Sequence, residues 1–281
     1  MKIGIVTDST ADLPQELVRE YEIEVLPLQV SFDNQSFRDG VDLTPAAFYH
    51  KLQESKSTPV TSQPAPGIFI ECYQKLLQKV DAILSIHLTG KFSGTVRVAE
   101  LAGEMFPGAD IRVVDSRSTS MGLGCLVLEA ARAARNGSTP DQVVALLHHL
   151  RERVHFLVTL DTLEFLRRGG RASKMQAFLS SILQIKPLLR MARGEVELVA
   201  KVRSRRESIQ MMLDHFKTLL AADSKAVIAV MYTTAEKEAL KLQTIIQETF
   251  QQAEVIINQA GPVLGTHTGP GALALIGVAK V

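Results

Sequence analysis

Residues 82–95 read Ala-Ile-Leu-Ser-Ile-His-Leu-Thr-Gly-Lys-Phe-Ser-Gly-Thr, and their order decides the fold class. Residues 82–87 are short and mostly apolar, the pattern of a buried strand. A turn of small polar residues and glycine follows, and a helix is predicted over 95–105. The same order recurs on either side. Upstream, residues 2–7 form a strand ending in Asp8-Ser9-Thr10 and leading to a helix over 14–21. Downstream, strand 111–114 ends in Asp115-Ser116-Arg117-Ser118-Thr119 and leads to a long helix over 121–136. Strands alternating with helices predict a parallel sheet covered by helices on both faces.

Other elements fill in around this frame. Residues 24–32 read as a further strand. Residues 44–53 read as a helix with Pro45 in its first turn, and 68–80 as a helix entered through Thr61-Ser62-Gln63-Pro64. Asn136-Gly-Ser-Thr-Pro140 stops one helix and starts the next, over 141–154. The second half differs. It shows strand 155–160, a short helix over 163–168, a helix over 175–185, and a hairpin of strands 187–191 and 196–202. Helix 207–222, strand 226–232, helix 236–251, strand 254–258 and a terminal strand over 272–281 complete it. The fold class read from this order is α/β in two lobes: an N-terminal parallel-sheet α/β/α lobe over about 1–150 and a C-terminal lobe with a mixed sheet over about 151–281.

Bulk properties exclude several classes. With 281 residues, 46% of them apolar and 22% charged, the chain has material for a large core, and disorder is not expected. A net charge of +1 gives no overall attraction to nucleic acid or to an anionic membrane. Cys72 and Cys125 stand alone, without ligand spacing for zinc or a disulfide framework. No apolar run has the length of a membrane span, and the N-terminus enters a strand without a cleavable signal pattern. A cytoplasmic location is expected, with no integral membrane association.

The chemistry is expected where the strands end, because ligands of open parallel sheets bind outside the carboxyl ends of the strands. Hydroxyls and glycines collect there: Asp8-Ser9-Thr10, Ser93-Gly94-Thr95 and Asp115-Ser116, with Thr61-Ser62 opening a further helix beside them. Helix entrances present unpaired N–H groups and a positive dipole end. Thr61 and Ser93 at two such entrances would grip a small anion without a formal positive charge, and Gly94 would let ligand and backbone approach. Each hydroxyl taken alone is an ordinary helix cap. There is no phosphate-binding P-loop, no nucleophile elbow, and only a weak dinucleotide fingerprint at Gly122-Leu-Gly124. His148-His149 reads as structural, and His87 as a hydrogen-bonded wall residue. Three stretches remain: the arginine-glycine run 163–173, the basic cluster Arg203-Ser-Arg205-Arg206, and Gly265-Thr266-His267-Thr268-Gly269-Pro270-Gly271. The last places three glycines and a proline around one histidine, which predicts an unusual backbone path.

Taken together, Asp8-Ser9-Thr10, residues 61–66, Ser93-Gly94-Thr95, Asp115-Ser116, the run 166–173 and the stretch 265–271 resemble the DegV family in order and spacing, over almost the whole chain. The resemblance implies a two-lobed fold related to dihydroxyacetone kinase substrate domains, with a fatty acid bound between the lobes. It implies an acyl-binding, non-catalytic subunit that carries a long-chain fatty acid (C14 to C18, such as palmitate or oleate) to an ATP-dependent fatty acid kinase subunit. That kinase would form an acyl phosphate for phospholipid synthesis. Thr61 and Ser93 are then the carboxylate ligands. Ser62, Gly94, Thr95, Thr266, His267 and Arg171 are head-group or wall residues, and Arg203 and Arg205 belong to the surface facing the kinase. No cofactor, metal or nucleic acid is implied. Burying about fourteen methylenes offers on the order of 11 kcal/mol before binding costs, so the tail supplies most of the affinity and the hydroxyls orient the head. Two other readings are a lipid transport or sensing module without a kinase, and a dihydroxyacetone-kinase-like enzyme with His267 or His87 as nucleophile.

Overall fold

The computed structural model describes residues 1–55, 57–171, 186–222 and 225–280. Its first sheet is parallel throughout, in the order β2 (Glu24–Leu26), β1 (Ile3–Asp8), β6 (Ala82–His87), β7 (Asp110–Asp115). All six residues of β6 are buried, as a central strand covered on both faces requires. Its side chains alternate between two cores. Ile83 packs with Phe69 and Tyr73 of α3 (Pro66–Leu76) and Val98 of α4 (Thr95–Gly103). Leu84 and Ile86 face Leu123 and Leu126 of α5 (Ser120–Arg135) and Val143 of α6 (Pro140–Leu150). Helix α1 (Gln15–Glu20) links β1 to β2.

The second sheet is mixed. Its order is β10 (Glu195–Val202), β9 (Lys186–Ala192), β8 (His155–Thr159), β13 (Leu273–Ala279), β11 (Ala226–Tyr232), β12 (Glu254–Gln259). The β11–β12 pair is parallel and the other pairings are antiparallel. The expected hairpin is β9–β10, turning at Arg193-Gly194 with φ of 51° and 84°. Met212 and Phe216 of α8 (Arg205–Leu219) and Leu242 and Ile246 of α9 (Glu236–Thr249) cover one face of this sheet. The other face meets α5, and one apolar cluster joins α5 residues to Ile5 of β1 and Ile276 of β13. A helix between two sheets must be apolar nearly all round, and eleven of the sixteen α5 residues are buried. Gly122 and Gly124 serve this packing: a Cβ on Gly124 would stand 2.5 Å from the carbonyl oxygen of Ala11.

Three expectations are corrected. Residues 24–32 form two strands, because Pro27 interrupts the run and lacks an N–H for a ladder. The second piece, β3 (Gln29–Phe32), leaves the parallel sheet and pairs with β4 (Gln35–Arg38) and β5 (Val60–Ser62) in a small antiparallel sheet. Thr61 therefore lies in a strand opposite Val30, not at a helix entrance; α3 begins at Pro66 with no side-chain cap. Residues 265–268 are the end of a regular helix, α10 (Pro262–Thr268), and left-handed backbone appears only afterwards, at Gly269 and Gly271. Gly265 is small because α10 crosses α2 (Pro45–Glu54), where a Cβ would meet the Phe48 ring at 2.5 Å. Helix α10 thus packs on first-half elements although it lies late in the chain. The short helix α7 (Glu164–Arg168) forms as expected. The helix expected over 175–185, and Ser173, lie outside the described residues.

Candidate functional site

A cavity of about 360 Å³ lies between the carboxyl ends of the parallel strands and the inner face of the second sheet. Three of the strand ends picked out from the sequence reach it: Thr10 beyond β1, Ser93 beyond β6 and Thr119 beyond β7. Its apolar wall comes from alternate residues of adjacent strands, Phe156 and Val158 on β8 and Leu189 and Met191 on β9. Their neighbours Leu157 and Leu188 point the other way, into the core under α8. This alternation is the ordinary pleat of a strand. It gives the cavity an oily region with no charged group among those four side chains.

The opposite region is polar. Thr61, Ser62, Gln63, Ser93, Arg171 and His267 line it. The Thr61 hydroxyl lies 2.8 Å from His267 Nε2, which ties β5 to α10. His267 Nδ1 is buried beside Gly169 with no hydrogen-bond partner. Burial, reinforced by the Arg171 charge, pushes the imidazole down to about 4, so it is neutral near pH 7. A neutral imidazole carries one proton, and an orphaned N–H donor costs more than an orphaned acceptor with a lone pair. The proton is therefore assigned to Nε2, which donates to Thr61 and leaves the Thr61 O–H free to donate into the cavity. Ser93 sits just before α4, where it accepts from the Thr95 backbone N–H at 3.3 Å and meets the Thr95 hydroxyl at 2.8 Å. With Thr95 donating, the Ser93 proton is also available.

Arg171 brings the positive charge. Its guanidinium donates to the carbonyls of Phe92 (3.1 and 3.2 Å) and Gly169 (2.5 Å). It has no carboxylate partner among the described residues, and burial lowers its affinity for its proton. Gly94 lets the end of the Gln63 side chain come close, where a Cβ would push it aside.

The remaining predicted residues fall elsewhere. Thr95 is buried behind Ser93 and supports it. The Thr266 hydroxyl donates within α10 to the Pro262 carbonyl at 2.9 Å. Arg203 is exposed at the start of α8, and Arg205 beside it pairs with Glu238 at 2.8 Å and Asp161 at 3.8 Å. His87 is not a wall residue. It is fully buried, with Nε2 at 2.7 Å from Ser85 and Nδ1 at 3.0 Å from Asp8. With both nitrogens engaged inside the core, it cannot act as a nucleophile toward a ligand. Gln63 and the strand wall were given no role from the sequence, although the spacing of residues 156 and 158 carried the period-two signal.

Two further carboxyls steady the site from behind. Asp12 accepts from the Gly261 N–H at 2.9 Å and from the Ser120 hydroxyl at 2.7 Å. Gly261 is the cap of α10, the helix that carries His267. Burial pushes Asp12, and Asp39 near it, up to about 7.

Comparison with known proteins agrees with this architecture. The model of the family described as "Uncharacterised protein, DegV family" matches residues 2–280. A fatty-acid-binding DegV family protein from Thermus thermophilus is 35% identical, with a TM-score of 0.94 and full coverage of both chains. DegV of Bacillus subtilis, a fatty acid binding protein, is 32% identical at a TM-score of 0.94, again over the whole of both chains. A stearic-acid-binding protein from Eubacterium ventriosum is 26% identical at a TM-score of 0.92, covering 100% of this chain and 99% of the other. With the family model matched almost end to end and the fold shared throughout, this chain belongs to the DegV family.

Proposed function

We propose that this protein holds one long-chain fatty acid in the cavity and presents its carboxylate to a separate ATP-dependent kinase subunit. One observation carries the reading: one cavity joins an oily strand wall to a cluster of hydroxyl donors and an arginine that has no carboxylate partner among the described residues. That polarity gradient matches an amphiphile with an anionic head. The structural relatives that bind fatty acids, stearic acid among them, support the same class. In this reading Thr61 and Ser93 donate to the carboxylate. Arg171 supplies a nearby positive charge, Ser62, Gly94 and Gln63 shape the entrance, and His267 orients Thr61.

The hydroxyl donors are neutral, so the carboxylate keeps a lone pair for attack on a γ-phosphate. Phosphoryl transfer needs positioning and charge neutralisation more than covalent help from the carrier. The product is an acyl phosphate, a precursor for phospholipid synthesis. The protein acts in the cytoplasm as a binding subunit, with exposed Arg203 on the kinase-facing surface and Arg205 holding that corner of α8 together. C14 to C18 acids such as palmitate and oleate are the proposed ligands.

The test is extraction and mass spectrometry of lipid that travels with the purified protein, followed by incubation of the loaded protein with kinase subunit and ATP. A bound C14 to C18 acid and formation of acyl phosphate are expected. Failure of every such acid to bind removes the reading. Binding without phosphorylation removes the kinase step alone and leaves a transport or sensing role.

A further inference from the structure

A second cavity, of about 300 Å³, lies where the turn after β7, the start of β8 and the end of β9 converge. It is lined by Arg117, Arg151, Arg190, Arg193, His155 and His215, with Glu152 the one carboxylate among its lining residues. Charge pairing does not neutralise it. Arg117 and Arg151 share a single oxygen of Glu152, at 2.8 and 3.6 Å. Arg190 pairs across the hairpin with Glu197 at 2.9 Å. Arg193 has no carboxylate partner among the described residues. Four arginines thus line a cavity with one carboxylate of its own, Glu152; Glu197 pairs with Arg190 alone, and the Asp115 carboxylate at the same turn is taken up by the backbone N–H groups of Arg117 and Gly90, at 2.7 and 3.2 Å. The Nε of Arg151 is buried without a hydrogen-bond partner.

The backbone supplies an independent sign. Arg117 and Arg193 both take left-handed conformations, with φ of 52° and 51°. Side chains with a Cβ pay sterically there, and hairpin turns of this kind favour asparagine, aspartate or glycine at the position Arg193 occupies. Two arginines in the two strained positions that face one cavity indicate that the guanidinium groups themselves are wanted. Planar guanidinium forks match phosphate oxygens in pairs.

We propose that this cavity binds a phosphate-class oxyanion, at a site separate from the polar region that holds the acyl head group. Phe156 and Met191 wall both cavities, so the oxyanion sits behind the oily wall and away from Thr61 and Ser93. The inference does not rest on the acyl reading. It stands or falls on oxyanion binding alone.

The full chain is titrated with sodium phosphate and sodium pyrophosphate at matched ionic strength against sodium chloride, by calorimetry and thermal unfolding. It is also cosedimented with phosphatidylcholine vesicles with and without phosphatidic acid. The comparison is the Arg117→Gly, Arg193→Gly double variant, whose glycines suit both left-handed positions and relieve strain. Saturable binding of pyrophosphate, tighter than phosphate and weakened about a hundredfold in the double variant, is expected at roughly tenfold per guanidinium. Binding only to phosphatidic acid vesicles, lost in the double variant, supports the same chemistry with a lipid headgroup as its source. No saturable binding to any of these probes, or binding unchanged in a folded double variant, overturns the proposal.

Discussion

Two buried histidines show how one local chemistry serves two ends. His87 sits in the first sheet with a serine hydroxyl 2.7 Å from Nε2 and a carboxylate 3.0 Å from Nδ1, while Tyr73 donates to the same serine at 2.7 Å. By residue type and order this is a Ser-His-Asp arrangement. It is nevertheless sealed, with Asp8, Ser85 and His87 all fully buried and the Asp8 carboxylate also accepting from Thr10 and Leu88. His267 has a hydroxyl at a similar distance, but its second nitrogen is unpaired and its partner faces a cavity. A network with no hydrogen-bonding capacity left over stabilises the fold. A network that leaves a donor facing open space is ready for a ligand.

Mutations can break this contrast from either side. The largest effect is expected at the closed network. Asp8→Ala strands donors on His87, Thr10 and Leu88 in the core, at a total of about 3–5 kcal/mol of stability. Urea denaturation measures it, and a loss below about 1 kcal/mol would mean the network is not structural.

The pH dependence separates the two regions next. His267 is held at about 4 against an ordinary 6.5, so its neutral form contributes stability above pH 6.5. That contribution, roughly 3 kcal/mol, is lost as pH falls through about 4. Asp12 and Asp39, raised from 3.8 to about 7, act in the opposite sense. Their contribution is complete below pH 3.8 and is lost as pH rises through 7. Melting curves from pH 4 to 8 should show the acid-side loss shrinking in His267→Gln and the alkaline-side loss shrinking in Asp39→Asn. Parallel curves for wild type and both variants would contradict the assignment.

At the open network the effect reaches the ligand as well as stability. If the proposed function holds, Thr61→Ala and Ser93→Ala each remove a donor to a charged head group, weakening oleate binding by about 1.5–3 kcal/mol, roughly ten- to a hundredfold. In the lipid-free protein Thr61→Ala also strands the His267 Nε2–H, and Ser93→Ala the Thr95 hydroxyl and N–H, so each variant should lose about 1–3 kcal/mol of stability as well. Titration with oleate reads the weakened binding, and a double variant with wild-type affinity would remove both residues from the head-group site. The smallest effect is expected for Gly94→Ala, about 0.5–1 kcal/mol of stability. The added Cβ meets the flexible end of Gln63, which can swing aside.

Much of the fold was legible in advance because its signals are local. Short apolar runs at residues 2–7, 82–87 and 111–114, each followed by small polar residues and a helix, specify parallel strands with ligand-competent ends. The hairpin at Arg193-Gly194 and the cap at Thr139-Pro140 are local in the same way. Thr61 shows where local reading fails. Its neighbours Ser62-Gln63-Pro64 resemble a helix entrance, but Pro64 and Pro66 delay the helix while Val30 pairs with Thr61 across the small sheet. Strand pairing over some thirty residues leaves no mark in the local pattern. The three glycines around His267 misled for a related reason: one of them answers to the crossing of α2 and not to a bend.

The sequence by itself determined the alternating order of elements and the small polar residues that follow the parallel strands, Asp8-Ser9-Thr10, Ser93-Gly94-Thr95 and Asp115-Ser116. Tertiary structure alone decided which histidine is sealed and which is open, because burial and leftover hydrogen-bond capacity depend on neighbours 79 residues away for His87 and 206 residues away for His267. It also decided the oily wall, since the pleat says which residues share a face but not which face meets the cavity.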